Sequence, residues 1–420
     1  MIKKYLNRYA DDILKQSLES SGAVWIQGPK WCGKTRTASM QAKSVLLMQD
    51  PDETQNYIQM ADIKPSLLLA GETPRLIDEW QMAPVIWDAV RYAVDQRGDT
   101  GQFILTGSTL PLNNEVMHSG TGRISRMLMR TMSLFESGES NGQVSLANLF
   151  DGINPEGTSA LEVQELAHLI ARGGWPGALG MTDQNALRQV ENYLDAIVEH
   201  DISEVDGVSR DPIRARMIMR SLARNIATTA SLPVVQSDVD GNNKPPSSNT
   251  VAAYLNGLER LFVIENQPAW GPALRSRSIL RKTAKRHFID PSIAVAALKT
   301  NSDGILKDFN TFGYLFESLC VRDLRIYSQV LKGNVLHYQD NTGLEADAII
   351  ALHDGRWGAV EVKMGQKKVD EAAENLLKLK AKVDEDKANP PSFLMVLTGS
   401  GYAYRRKDGV FCVPIGCLKA

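Results

Sequence analysis

Cysteine is scarce in this chain: four in 420 residues. Cys32, Cys320, Cys412 and Cys417 show no C-x₂-C spacing, which excludes a zinc ribbon and a disulfide scaffold and fits a reducing compartment. Charge of one sign is also missing. The formal net charge is −2, so no global positive field marks a nucleic-acid binder, and any such contact must come from a local patch. No stretch approaches the roughly 20 apolar residues that span a bilayer, and Met1-Ile2-Lys3-Lys4-Tyr5 has no apolar segment of a secretory leader behind it. No internal repeat stands out. The expectation is a cytoplasmic protein with no membrane partner. The apolar share of 43% supports ordinary cores, and the length predicts two to four domains.

What is present begins with Gly28-Pro29-Lys30-Trp31-Cys32-Gly33-Lys34-Thr35, which fits the phosphate-loop pattern G-x-x-x-x-G-K-[ST]. Its context fits as well: Ala23 to Gln27 reads as a buried strand and Thr35 to Ala42 as a helix. Glycines let the backbone wrap phosphate oxygens, and the helix N-terminus faces the anion. Lys34 is expected at the β- and γ-phosphates and the Thr35 hydroxyl on Mg²⁺, with Arg36 completing the nucleotide-contacting set. Arg8 and Tyr9, ahead of an amphipathic helix Asp11 to Ser20, are candidates for contact with the base or for an ordinary helix start.

A second chemical element is Arg75-Leu76-Ile77-Asp78-Glu79-Trp80, an apolar run ending in two acids. Asp78 is expected to hold Mg²⁺ and Glu79 to orient the attacking water. Gln102 to Ser108 reads as a strand ending in small polar residues, with Thr106 or Ser108 beside the γ-phosphate. Arg123 follows the Gly-rich stretch Ser119-Gly120-Thr121-Gly122. It is a candidate for neutralising transition-state charge, in its own subunit or a neighbour's, or else a plain surface arginine. Helices are expected over Leu161 to Arg172 and Gln184 to Glu199, with Gly173-Gly174-Trp175-Pro176-Gly177 between them. There Pro176 is a candidate for packing against an adenine ring.

On these residues, the phosphate loop, Leu76 to Glu79, Leu105 to Ser108 and Gly174 to Pro176, residues 1–205 resemble an AAA-family P-loop ATPase of the branch that includes the signal-transducing STAND ATPases. The whole chain resembles a bacterial group in which that ATPase precedes a conserved domain of unknown function, related to winged helices and to the PD-(D/E)XK nuclease fold. The resemblance implies an α/β fold with a helical lid, adenine as the base, ATP and Mg²⁺ as cofactors, and a homo-oligomeric ring. The expected divisions are 1–140 (ATPase core), 141–205 (lid), 206–298 (winged helix) and 299–420 (nuclease-like).

In 206–298, three helices are expected: Pro212 to Ala227, Leu232 to Val239, and Thr250 to Leu261 capped by Asn249. Phe262 to Glu265 and His287 to Asp290 would form a wing. Arg275, Arg277, Arg281, Lys282, Lys285 and Arg286 make the one dense basic cluster, predicting phosphate contacts to DNA or else plain interdomain packing. In 299–420 the order α-β-β-β-α-β predicts a restriction-endonuclease-like core. Period two puts Glu361 and Lys363 on one strand face, and a hairpin can bring Asp347 beside them. Asp347 and Glu361 would ligate Mg²⁺, with Lys363 serving the phosphate. Glu317 on the long helix resembles the family's helix carboxylate, whereas Ala346 stands where that family has proline. The function expected is an ATPase that couples hydrolysis to DNA binding or processing. The alternatives are a signalling or regulatory ATPase with an inactive nuclease-like domain, and one with no DNA role.

Overall fold

A computed structural model describes residues 5–109, 119–239, 246–272, 282–383 and 389–420. Five strands, β1 (Ala23–Gln27), β2 (Ser44–Leu47), β3 (Arg75–Asp78), β4 (Phe103–Gly107) and β5 (Ile124–Leu128), form a parallel sheet in the order β2-β3-β4-β1-β5. Alternation explains its two buried faces. Ala23, Trp25, Ile77, Phe103 and Leu105 join a cluster around Trp80 and Trp87. Val24, Ile26, Leu76 and Ile104 pack on Leu14 and Leu18 of the helix Tyr9–Ser20. β4 lies between β3 and β1, the order expected for a P-loop NTPase.

The rest of the chain is interlaced. Strands β6 (Val144–Ser145) and β7 (Gly157–Ser159) precede the helices Val163–Arg172 and Asp183–Ala196, and the latter runs into a π-turn at Ile197–Asp201. The stretch expected as purely helical lid therefore contributes strands to distant partners. The C-terminal sheet takes β8 (Gly333–Gln339), β9 (Glu345–Leu352), β10 (Trp357–Lys363), β11 (Phe393–Thr398), β12 (Gly401–Arg405) and β13 (Phe411–Pro414) in the order β7-β12-β13-β11-β10-β9-β8. β14 (Leu418–Lys419) pairs with β6. β12 was not anticipated. Its burial pattern is mostly exposed, so it lacks the apolar run that marks a central strand. The helix Phe309–Val330 packs on one face of this sheet and Val369–Lys382 on the other.

The middle segment has helices Pro212–Arg224, Leu232–Asp238 and Ser248–Arg260. The last is capped by Ser247, whose side chain accepts from Thr250 N, and not by Asn249. The expected wing strands are reduced to isolated antiparallel bridges, Ile264–Phe288 and Gln267–Lys285. Phe262 turns with φ 55°, which breaks an extended strand at its first residue. The described residues on the two sides of these bridges pack against the C-terminal sheet. Ala269 bridges to His337 of β8, and fully buried Gln267 donates to the carbonyls of Leu336 and Asp347 at 3.0 Å each. One apolar cluster runs from Leu134 through the middle helices to Leu418, so packing is continuous across residues 205/206 and 298/299.

Candidate functional site

Parallel strands bring their C-terminal ends to one edge, and there the loop after β1 meets the acids after β3. Gly28 and Gly33 take positive φ, 150° and 103°. A Cβ on Gly28 would stand 2.1 Å from the Met129 carbonyl oxygen, so only glycine fits the loop's first corner. Lys34, buried, donates to the carbonyls of Gly28 at 2.9 Å and Pro29 at 2.8 Å. Thr35 Oγ1 donates to Asp78 Oδ1 at 2.7 Å, and Thr106 Oγ1 donates to the same oxygen. Glu79 has left-handed backbone, φ 54°, an uncommon state for a side-chain-bearing residue. Its carboxylate accepts from Gln81 Nε2, and Ser108 Oγ lies 3.5 Å away. Lys30, Trp31, Gly33 to Arg36, Glu79 and Ser108, with Gln49 and Met82, line an open cleft of about 640 Å³.

The structure thus brings together the predicted loop, Asp78, Glu79 and Ser108, while Thr106 lies beneath Asp78. Cys32 faces inward, buried, its thiol 3.5 Å from the Met129 carbonyl. Pro176 stands over the loop, 3.5 Å from where a Gly33 Cβ would sit. Gln49 was missed by the sequence reading. It donates to Asp78 Oδ2 at 3.2 Å, and its place just past the end of β2, beside β3, was the available signal. Two contacts to the helix Asp183–Ala196 and the π-turn after it also escaped the reading: Lys30 pairs with Asp201 at 2.8 Å, and the Trp31 ring lies 5.4 Å from that of Tyr193. Thr35 lines the cleft and Asp78, fully buried, is bonded directly behind it, a pair of hard oxygens of the kind suited to Mg²⁺ beside phosphate.

Other candidates lie apart from the cleft of their own chain. Arg123 precedes β5, where Ile124 pairs with Ala23 at the start of β1. Since the phosphate loop follows the far end of β1, Arg123 lies about 16 Å away along the strand, at roughly 3.3 Å per residue. It pairs there with Asp95 at 2.7 Å. Arg8 is a buried clamp, not a base contact: it bonds Glu136 and the carbonyls of Cys32, Arg130 and Thr131. Tyr9 stacks on Phe135, and its hydroxyl accepts from Ala420 N.

In the C-terminal sheet, Glu317, Asp347, Glu361 and Lys363 do converge, but with a fifth member. Lys285 Nζ lies 2.7 Å from Glu317 Oε1 and 3.2 Å from Asp347 Oδ1. Lys363 Nζ lies 2.7 Å from Glu361 Oε2 and 3.7 Å from Asp347 Oδ2, which also accepts from Val362 N. Burial and then the Asp347 charge push Glu317 and Glu361 each up to about 8. Burial works to raise Asp347 too, but Lys285 and Lys363 outweigh it and hold it low. Among the described residues no group of three or more His, Cys, Asp or Glu side chains is arranged to hold a metal ion. The cluster as built does not fit the expected Mg²⁺ on Asp347 and Glu361, because ammonium groups already face the carboxylates. Lys285 is therefore no surface phosphate contact. Its neighbours are engaged too: Lys282 bonds Gln339 O, and Arg286 bonds Ala230 O and Asn266. Arg275, Arg277 and Arg281 lie outside the described residues.

Three family models match separate segments: an AAA domain over residues 20–137, a domain of unknown function (DUF8612) over 163–304, and another (DUF4143) over 312–418. No curated protein matches. Solved structures with a likeness include the Walker-type ATPase of Pyrococcus abyssi, at 14% identity and TM-score 0.43, covering 70% of this chain and 97% of that one. The ORC1 protein of Aeropyrum pernix, solved in complex with DNA, has 14% identity and TM-score 0.26, covering 72% and 94%. At those scores neither carries an argument about this chain. No helix among the described residues is long and apolar enough to cross a membrane. With the AAA match spanning the phosphate loop, the acids after β3 and the five parallel strands, the N-terminal segment is a P-loop ATPase domain of the AAA type.

Proposed function

We propose that the chain is a Mg²⁺-dependent ATPase whose nucleotide state is passed to the lid and the C-terminal sheet. The observation that carries this is the meeting of Lys34, Thr35 and Glu79 around one cleft, with buried Asp78 bonded to Thr35 behind it. Thr35 and Asp78 would hold Mg²⁺, which when bound with nucleotide supplies charge neutralisation at the β- and γ-phosphates. Lys34 leaves the carbonyls of Gly28 and Pro29 and turns to the phosphate oxygens. Glu79, released from Gln81, orients water in line with the γ-phosphate. Lys30–Asp201 and Trp31–Tyr193 tie the loop to the lid, so a loop that closes on phosphate pulls on the π-turn. Pro176 supports adenine as the base.

For the remaining segments the ion-paired C-terminal cluster favours a regulatory ATPase with a closed nuclease-like domain over a constitutive nuclease. DNA as a partner rests on the basic cluster, now without Lys285, and a ring of copies rests on the family resemblance alone. The test is nucleotide binding and steady-state hydrolysis in two variants. Lys34→Ala is expected to lose ATP binding. Glu79→Gln is expected to bind ATP normally and turn over about 10²–10⁴-fold more slowly. Unchanged turnover in Glu79→Gln refutes the assignment.

A further inference from the structure

Glu317, Asp347 and Glu361 come from the long helix, β9 and β10, but the cation between the first two comes from elsewhere in the chain. Lys285 is delivered by a fixed backbone. It donates to Gln267 O at 3.0 Å and accepts from Gln267 N at 2.9 Å. Gln267 is locked in turn by its bonds to Leu336 O and Asp347 O, and by His287 at 3.1 Å. His287 reaches Ser318 on the long helix at 3.1 Å. The Lys285 ammonium therefore sits between two carboxylates by construction, with its side chain only 8% exposed. A divalent ion bridging Glu317 and Asp347 would need the same space. The cluster also keeps one unmet acceptor: Glu361 Oε1 is buried with no hydrogen-bond partner. A buried carboxylate oxygen left so is costly and is a ready ligand for a cation.

We infer that Lys285 is a resident member of this carboxylate site, holding the position of a divalent cation between Glu317 and Asp347, so that Mg²⁺ or Mn²⁺ enters only when that ammonium is gone. The inference deepens the closed nuclease-like reading and rests on it for the identity of the site. The Lys285 ammonium is within 2.7 Å of Glu317 Oε1 and 3.2 Å of Asp347 Oδ1, so it is the group that joins these two side chains. Removing Lys285 leaves two facing carboxylates, which a divalent ion satisfies better than water does.

The test uses the full-length chain without nucleotide and Mn²⁺ alone as the probe. Asp347→Asn is placed in each background to subtract binding at the phosphate loop. The wild type is expected to show no Asp347-dependent uptake of Mn²⁺. Lys285→Met is expected to melt several degrees lower in chelator, to take up one equivalent of Mn²⁺ that Asp347→Asn abolishes, and to regain its melting temperature on doing so, by mass action. Lys285→Gln, which keeps a hydrogen-bond donor in place, should behave in the same way and guards against misfolding of the first variant. Asp347-dependent Mn²⁺ uptake by the wild type overturns the inference, as does absence of uptake in both neutral variants. Phosphodiester cleavage by the Mn²⁺-loaded variants is scored separately. Uptake without cleavage removes the nuclease reading and leaves the lysine's role standing.

Discussion

Glu265 shows how much one side chain in the middle segment depends on others far along the chain. Its two oxygens accept from Arg130 Nη2 and Nε at 2.6 and 2.8 Å, and Arg325 stands 3.6 Å away. Arg130 also donates to Gln329, whose amide bonds Leu128 O at 2.9 Å, which ties the end of β5 to the long helix. Burial alone would raise the carboxyl, but Arg130 and then Arg325 bring it down to about 2. A carboxyl depressed in the folded state binds fewer protons there than in the unfolded chain. Its stabilisation is therefore complete above about pH 4.5, the value in an unfolded chain, and is lost as pH falls toward 2. Glu265→Gln should lower stability at pH 7 by about 2 kcal/mol, the scale of charge-assisted hydrogen bonds. Urea denaturation across pH should show that deficit shrinking below pH 4.5. A deficit independent of pH would refute the account.

Strand direction, an element-scale property, decides the fate of Arg123. The Gly-rich stretch before it looks like a phosphate-facing turn, yet parallel pairing of β5 with β1 sends it to the opposite edge from the loop. Arg123→Ala should therefore hydrolyse ATP within about threefold of wild type, since surface changes away from a site seldom exceed ~0.5 kcal/mol. A hundredfold loss would mean that a neighbouring copy brings this edge to its own nucleotide. The glycines after the helix Val163–Arg172 act at the same scale. Gly174 accepts from Met132 N at 2.7 Å, and a Cβ there would stand 2.1 Å from Met132 O. That contact seats Pro176 over the phosphate loop.

At the scale of the whole molecule, buried charge joins the segments. Arg322 of the long helix lies between Asp290 at 3.1 Å and Asp323 at 2.7 Å, all three essentially inaccessible. Asp290 also accepts from Thr131 Oγ1 and from Gly174 N, and Asp323 from Leu134 N. Residues far apart in the chain, Thr131, Leu134, Gly174, Asp290 and Arg322 with Asp323, thus meet at one polar junction. Arg322→Met leaves two buried carboxylates without their cation and should cost about 3–5 kcal/mol. It should also loosen lid and sheet together, seen as faster hydrogen exchange at both Gly174 and Leu134. Faster exchange at only one of them would mean that the junction does not act as a unit.

By itself the sequence determined whatever depends on neighbours in the chain. The phosphate loop, the acids at the end of β3 and the α-β-β-β-α-β order of the last segment are local patterns of spacing and alternation. Most helices and strands fall within a few residues of those patterns. β6, β7 and β14 were not legible, because two- and three-residue strands carry no periodicity of their own and exist only through partners hundreds of residues away. The sequence placed Glu317, Asp347, Glu361 and Lys363 in one site, yet left Lys285 in a basic cluster read as a phosphate contact or a packing element, because a lysine in a basic stretch looks the same whether it meets water or a carboxylate. Which of those it meets is set by the docking of Gln267 and Ala269, and of Lys285 paired with Gln267, on β8 and β9. Contacts of that kind are chosen by the packed fold, where the cost of burying an ammonium is offset only if two carboxylates are already waiting.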